Sequence, residues 1–133
     1  MSERPAGAVE GVPRILLRIE GAMLAAAALY GFYRVGASWW LFAALILVPD
    51  ASFAAYLVNA RLGSIAYNTL HVTIGPLILG TLGFMLPSFD LIAIALIWAT
   101  HIGIDRALGF GLKYRVGFGF THLGRFGGAM TGT

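Results

Sequence analysis

Four apolar stretches of about 20 residues each dominate this chain. At 1.5 Å per residue, a helix of that length crosses the ~30 Å hydrocarbon core of a bilayer. The chain is 59% hydrophobic and 11% charged, and its mean hydropathy of +0.82 excludes an ordinary soluble protein. The approximate bounds of the stretches are Arg14–Tyr33, Ser38–Asn59, Ser64–Leu86 and Ser88–Ala107.

The links between these stretches are very short, and tight connections make consecutive helices antiparallel neighbours. We therefore predict an all-α integral membrane protein, an up-down-up-down four-helix bundle over residues 14–107. Residues 1–13 are polar and interrupted by Pro and Gly, so they are expected to form a flexible cytoplasmic tail. Residues 108–133 mix Gly, aromatic and basic residues and are expected to lie along the cytoplasmic interface.

Basic residues are distributed unequally between the two ends of the spans. With an even number of spans both termini lie on one side, and the side richer in Lys and Arg faces the cytoplasm. We expect both termini in the cytoplasm and the chain in a bacterial inner (plasma) membrane. The same asymmetry explains the pI near 9.7, so no nucleic-acid partner is expected. The terminal side carries Arg4, Arg14, Arg18, Arg61, Arg106, Lys113, Arg115 and Arg125, and the other side carries Arg34.

Polar side chains interrupt the apolar stretches, and an ionisable group there costs several kcal/mol unless it is paired, hydrated or metal-bound. Counted at 1.5 Å per residue, the ionisable ones lie about 3–14 Å from the cytoplasmic ends of their spans. Because they share this depth on separate helices, they are expected to converge in the bundle interior. The polar residues are Glu20, Asp50, Asn68, His71, His101 and Asp105.

Histidine and carboxylate groups on facing helices are the ligand types of bundle-core metal sites. The chain has no cysteine, so nitrogen and oxygen ligands favour zinc or iron as the divalent metal. The expected catalytic residues are Glu20, Asp50 and Asn68. His122 is considered as a further group at the cytoplasmic mouth, against a plain interfacial role. The expected metal ligands are His71, His101, Asp50, Glu20 and Asp105.

Two other interpretations of the polar groups stay open. The groups can satisfy one another in a purely structural network, for example Arg18 or Arg106 with Glu20 or Asp105. They can also handle protons or cations without a bound metal. Pro49 and Pro76 fall inside spans and are expected to kink their helices, which frees carbonyls for a neighbour, water or ion. Glycines at 75, 80 and 83 are expected to permit close helix approach.

Several segments carry a resemblance over about residues 14–125: LLRIEG, VPDASFAAY, AYNTLH, WATHIGIDRALGFGLKY and FTHLG. Together they resemble a small bacterial family of four-helix integral membrane proteins known as a domain of unknown function. The resemblance implies the fold but supplies no activity. The positions that match the family's motifs are Glu20, Asp50, Asn68, His71, His101, Asp105 and Arg106.

The function expected from these residues is a metal-dependent membrane enzyme, a hydrolase or an oxidoreductase, acting on a lipid or isoprenoid. One alternative is a small proton- or cation-coupled transporter that uses Glu20 and Asp50. Another is a non-catalytic membrane subunit. The expected partners are membrane lipid and a second copy of the chain in a homodimer.

Overall fold

A computed structural model of the chain describes residues 9–110, 112, 120–121 and 124–125. Residues 11–108 form four helical segments that are long and apolar enough to cross a membrane. Their bounds are Gly11–Val35 (span 1), Trp39–Leu57 (span 2), Ala60–Met85 (span 3) and Phe89–Leu108 (span 4). The predicted all-helical fold of an integral membrane protein is confirmed.

Spans 1 and 4 are each one continuous α-helix. Helix α1 (Gly11–Val35) begins three residues before the apolar stretch seen in the sequence. It ends at Gly36, whose φ of 77° is the left-handed conformation that glycine adopts without strain. Span 4 is helix α5 (Phe89–Leu108), and Gly109 ends it in the same way with φ 91°. Both spans therefore stop at a glycine.

Spans 2 and 3 are each broken in two next to a proline. Span 2 consists of helix α2 (Trp39–Leu45) and a 3-10 helix (Val48–Leu57) whose second residue is Pro49. Span 3 consists of α3 (Ala60–His71) and α4 (Ile74–Met85), separated by an extended Val72 with ψ 146°. Pro76 lies in the first turn of α4, where its missing N–H would have bonded to Val72 in a continuous helix. The predicted kinks at both prolines are confirmed.

Helix α5 lies between α1 and α4 and runs antiparallel to both. Gly21 of α1 faces Gly103 of α5 so closely that a Cβ on either residue would come within 3.0 Å of backbone atoms. A Cβ on Gly75 or Gly83 of α4 would come equally close to α5, whereas one on Gly80 would make an ordinary 3.6 Å contact. The expected close approach at these glycines is confirmed at 75 and 83.

The 3-10 helix packs against α3, so that the second half of span 2 lies along the first half of span 3. A Cβ on Gly63 would overlap the ring of Tyr56, which shows how tightly the two helices meet. The buried core residues Phe32, Ala93 and Ile97 lie where α1 and α5 meet the start of span 2. Many large apolar side chains are exposed on the outside of this packing, as suits a surface that faces lipid.

Beyond α5, two short strands are described: Phe120–Thr121 (β1) and Gly124–Arg125 (β2), which pair antiparallel. Phe120 pairs with Arg125, and Thr121 with Gly124. Most of the two predicted tails, residues 1–13 and 108–133, lies outside the described residues.

Candidate metal centre

Four polar side chains from three of the spans meet at one point. Asp50 comes from the 3-10 helix, His71 is the last residue of α3, and His101 and Asp105 are one turn apart on α5. One ligand atom from each residue lies within 4.8 Å of the other three. The breaks in spans 2 and 3 fall beside Asp50 and His71, so the centre sits where both helices are interrupted.

The distances between the ligand atoms are those of a coordination shell. The Nε2 atoms of His71 and His101 are 3.1 Å apart, and Asp50 Oδ1 lies 3.2 Å and 3.1 Å from them. Asp105 Oδ2 lies 3.3 Å and 3.2 Å from the same two nitrogens. Neighbouring ligand atoms are about 3.3 Å apart around a tetrahedral ion with ~2.0 Å bonds, and about 3.0 Å apart in an octahedral shell with ~2.1 Å bonds. The four side chains can therefore hold a metal ion.

Both imidazole rings are held in one tautomer by backbone carbonyls. His71 Nδ1–H donates to Tyr67 O at 2.8 Å, and His101 Nδ1–H donates to Ile46 O at 2.5 Å. A carbonyl oxygen can only accept, so each Nδ1 carries the proton and each neutral ring presents an unprotonated Nε2 to the centre. Metal-bound histidines are commonly held through their other nitrogen in this way.

The break in span 2 supplies one of these carbonyls. In a continuous α-helix the Asp50 N–H would bond to Ile46 O, but it bonds instead to Leu47 O at 3.0 Å. Ile46 O is thereby left for His101. The kink thus positions two members of the centre, because the 3-10 turn that follows it carries Asp50.

The break in span 3 leaves carbonyls that side chains of α5 satisfy. Trp98 Nε1–H donates to Leu70 O at 2.6 Å, and Arg106 donates to His71 O at 3.3 Å. These two bonds tie the end of α3 to α5 on either side of His101 along that helix. Neither bond was expected from the sequence. The sequence feature that points to them is Pro76, since a proline in a span leaves nearby backbone carbonyls without their helical hydrogen bonds, and these need other donors.

Stacked rings and burial keep the histidines rigid. Tyr67 is buried and stacks on His71 with ring centroids 3.7 Å apart and planes 7° from parallel, and Phe53 stacks on Tyr67 at 5.4 Å. The imidazoles are only 3% and 4% exposed, whereas the side chains of Asp105 and Asp50 are 18% and 32% exposed. Asp50 is therefore the member of the centre that a substrate or water reaches most easily.

The charges of the centre call for a cation. The two Nε2 atoms lie 3.1 Å apart, and each lies 3.1–3.3 Å from one oxygen of each carboxylate, while both imidazoles are buried. Such a group repels itself unless positive charge lies between its members. One divalent ion would balance the two carboxylates and satisfy both nitrogens at once.

A family model described as a domain of unknown function (DUF4260) matches residues 14–126. The chain belongs to the DUF4260 family. The match confirms the resemblance noted in the sequence, and its description assigns no activity. No curated protein and no solved structure matches the chain.

The remaining predicted site residues of this DUF4260 protein lie elsewhere. Glu20 is exposed on α1 and does not join the four ligand atoms, so the prediction that it points into the centre is wrong. The reason is the packing of α1, which turns the adjacent Gly21 toward α5 and Glu20 away from it. Asn68 is half-buried on α3, three residues before His71, and its predicted catalytic role stays a prediction. His122 lies outside the described residues.

The arginines near the centre form hydrogen bonds to backbone carbonyls. Arg18 donates to Ala107 O at 2.9 Å, which ties α1 to the end of α5. Arg106 donates to the backbone of His71. Both guanidinium groups thus bond to carbonyls at helix ends, where cations are favoured by the helix dipole.

Proposed function

We propose that this protein is a membrane metalloenzyme whose Asp50–His71–His101–Asp105 centre binds zinc or iron and acts on a lipid or isoprenoid. The observation that carries the proposal is the pair of Nε2 atoms 3.1 Å apart, each within 3.3 Å of both carboxylates, on rings whose other nitrogens bond to backbone carbonyls. When bound, the metal would polarise a substrate oxygen or activate a water.

Protons are the rival source of positive charge in the centre. Two protons would also balance two carboxylates, either on the imidazoles, whose Nε2–H groups would then lie 3.1 Å apart, or on the carboxylates themselves. A single proton would leave a net negative charge among buried groups. A metal ion would balance both carboxylates and bind both nitrogens, and the 3.1–3.3 Å spacing of the nitrogens from each other and from the carboxylate oxygens supports this choice.

The four ligands are proposed to have different roles. His71, His101 and Asp105 are the more buried members and would hold the ion. Asp50, with a third of its side chain exposed, would accept a proton from the attacking water or from the substrate. Arg106 would act as a positioning residue through its bond to the His71 carbonyl.

The centre is proposed to face the cytoplasmic half of a bacterial inner membrane. This placement relies on the up-down-up-down order of the spans and on the excess of basic residues on the side of the termini. His101 and Asp105 lie about 10 Å and 5 Å from the end of α5 at Leu108, within one leaflet. A lipid in that leaflet could present its polar group to the centre without leaving the membrane.

The transporter alternative has lost its main support. It relies on Glu20 and Asp50, but Glu20 is exposed on α1 and does not belong to the group of ligand atoms that contains Asp50. Interrupted helices at a polar site do also occur in carriers. Metal binding and turnover decide between the two functions.

The first experiment measures metal in protein purified gently in detergent. Elemental analysis should find close to one equivalent of zinc or iron in the wild type and almost none in His71→Ala or His101→Ala. Thr100→Val is the matched control, because Thr100 is equally buried beside His101 but its hydroxyl bonds to Leu96 O. Absence of transition metal from the wild type, before and after addition of zinc or iron, would overturn the proposal.

The second experiment tests for turnover. Metal-loaded protein is incubated with liposomes of bacterial lipid extract, and products are compared by mass spectrometry with a chelator-treated sample. Asp50→Asn keeps an oxygen ligand but cannot accept a proton, so it should retain metal and lose product formation. Asp90→Asn, at the exposed start of α5, is the control. Equal product from Asp50→Asn and wild type would exclude the assigned role of Asp50.

A further inference from the structure

An apolar cavity of about 160 Å³ lies directly beside the metal centre. Its wall includes Pro49 and Leu70, the residues immediately before Asp50 and His71. Trp98, three residues before His101, forms another part of the wall. The cavity and the centre therefore share the same broken helices, and the wall of the cavity contains the residues that precede two of the ligands in the chain.

The cavity accepts only apolar groups. Its other lining residues are aliphatic, namely Leu45, Val48, Ile94 and Ile97. Among the described residues, the one side-chain N–H in the wall is that of Trp98, and it is already bonded to Leu70 O. A polar group placed there would lose its hydrogen bonds to water and gain none from side chains.

The lining of the cavity runs along α5 from Trp98 to Ile94, away from the Leu108 end and, in the proposed orientation, toward the middle of the bilayer. Ile94 lies on the same face of α5 as His101, seven residues closer to Phe89 and thus about 10 Å farther from the Leu108 end. A lipid in the leaflet that contains the centre has the same orientation, with its polar group toward the interface and its chain toward the midplane.

We propose that this cavity binds the hydrocarbon part of the substrate, adjoining the oxygen-bearing group that meets the metal. A cavity of about 150 Å³ holds a molecule the size of benzene, so about six carbons next to the reacting group would fill it. The substrate class is then a single-chain or isoprenoid amphiphile in which the carbons next to the reacting group carry no polar substituents. The inference depends on the metal site of the proposed function.

The experiment uses cobalt(II)-loaded protein in detergent, with alkyl hydroxamates of increasing chain length as probes. The visible spectrum of the cobalt reports binding of the hydroxamate oxygens. Affinity in the wild type should rise about fourfold for each added methylene, as expected for burial of one CH₂. The rise should level off at about six carbons, when the cavity is full.

Two substitutions at one position should shift this limit in opposite directions. Ile94→Trp fills the cavity and should remove the gain from longer chains while acetohydroxamate still binds. Ile94→Ala enlarges it and should move the limit to longer chains. Leu77→Trp is the control on α4, since Leu77 is 71% exposed and does not line this cavity. Partition of probes into detergent is common to all four proteins and cancels in their comparison.

The outcomes separate this inference from the proposed function. Failure of the wild type to bind cobalt would overturn both. Binding of cobalt and acetohydroxamate, with chain-length dependence that is the same in wild type, Ile94→Trp and Ile94→Ala, would overturn the cavity assignment and leave the metal centre intact. If Ile94→Trp does not fold, the shift expected for Ile94→Ala decides the question.

Discussion

Zinc should stabilise the native protein strongly, and His71→Ala should abolish that effect. A ligand that binds only the native state stabilises it by about 2.7 kcal/mol when its free concentration is 100 times Kd. Each Nε2 atom already lies 3.1–3.3 Å from the other one and from both carboxylates, so little of this energy is spent on rearranging the site. For a chain of this length, ~4 °C per kcal/mol gives a rise in Tm of about 10 °C.

The assay is thermal unfolding of chelator-treated protein in detergent, with and without added zinc. His71→Ala also removes a buried ring that stacks on Tyr67, so it should lower the Tm even without metal. The informative quantity is therefore the zinc-induced change in Tm, expected near zero for His71→Ala and near the wild-type value for Thr100→Val. A zinc-induced change that is equal in His71→Ala and wild type would refute the assignment of His71 as a ligand.

Four further results are expected. Arg106→Met should weaken metal affinity about 10- to 100-fold in a chelator competition, because it frees the His71 carbonyl, and unchanged affinity would contradict its positioning role. Lowering the pH from about 8 to about 5 should release the metal, since protons compete with it for the imidazole nitrogens. If elemental analysis shows that the protein keeps its metal at the lower pH, histidine ligation is contradicted. Gly103→Ala should lower the Tm by an amount worth ~1–3 kcal/mol, because the added Cβ would overlap the backbone of α1. Gly80→Ala should be neutral or stabilising, and equal effects of the two substitutions would contradict the described α1–α5 contact. A reporter fused at Thr133 should behave as cytoplasmic, and a periplasmic signal would reverse the proposed orientation.

Several features of the centre could be predicted because they are local. The His101–Asp105 pair lies four residues apart on a helix, a spacing that places both on one face in any tertiary structure. The breaks beside Pro49 and Pro76 follow from the missing N–H of proline. What could not be predicted is which donor takes each freed carbonyl, since Trp98, Arg106 and His101 reach them only through the packing of α5 against the other spans.

Glu20 marks the limit of prediction from the sequence. The four spans, and the presence of an acidic residue in the first one, can be predicted from the sequence alone, because hydropathy and length are properties of consecutive residues. The direction in which the side chains of α1 face cannot be predicted in this way, since most sides of that helix are apolar and lipid can contact any apolar side. The contacts of α1 with α5 decide it, above all the fit between Gly21 and Gly103, which allows the backbones to meet there and turns Glu20 outward. Whether side chains from separate spans converge depends on such contacts. The sequence therefore determined the candidate ligands, and the tertiary structure selected four of them: Asp50, His71, His101 and Asp105.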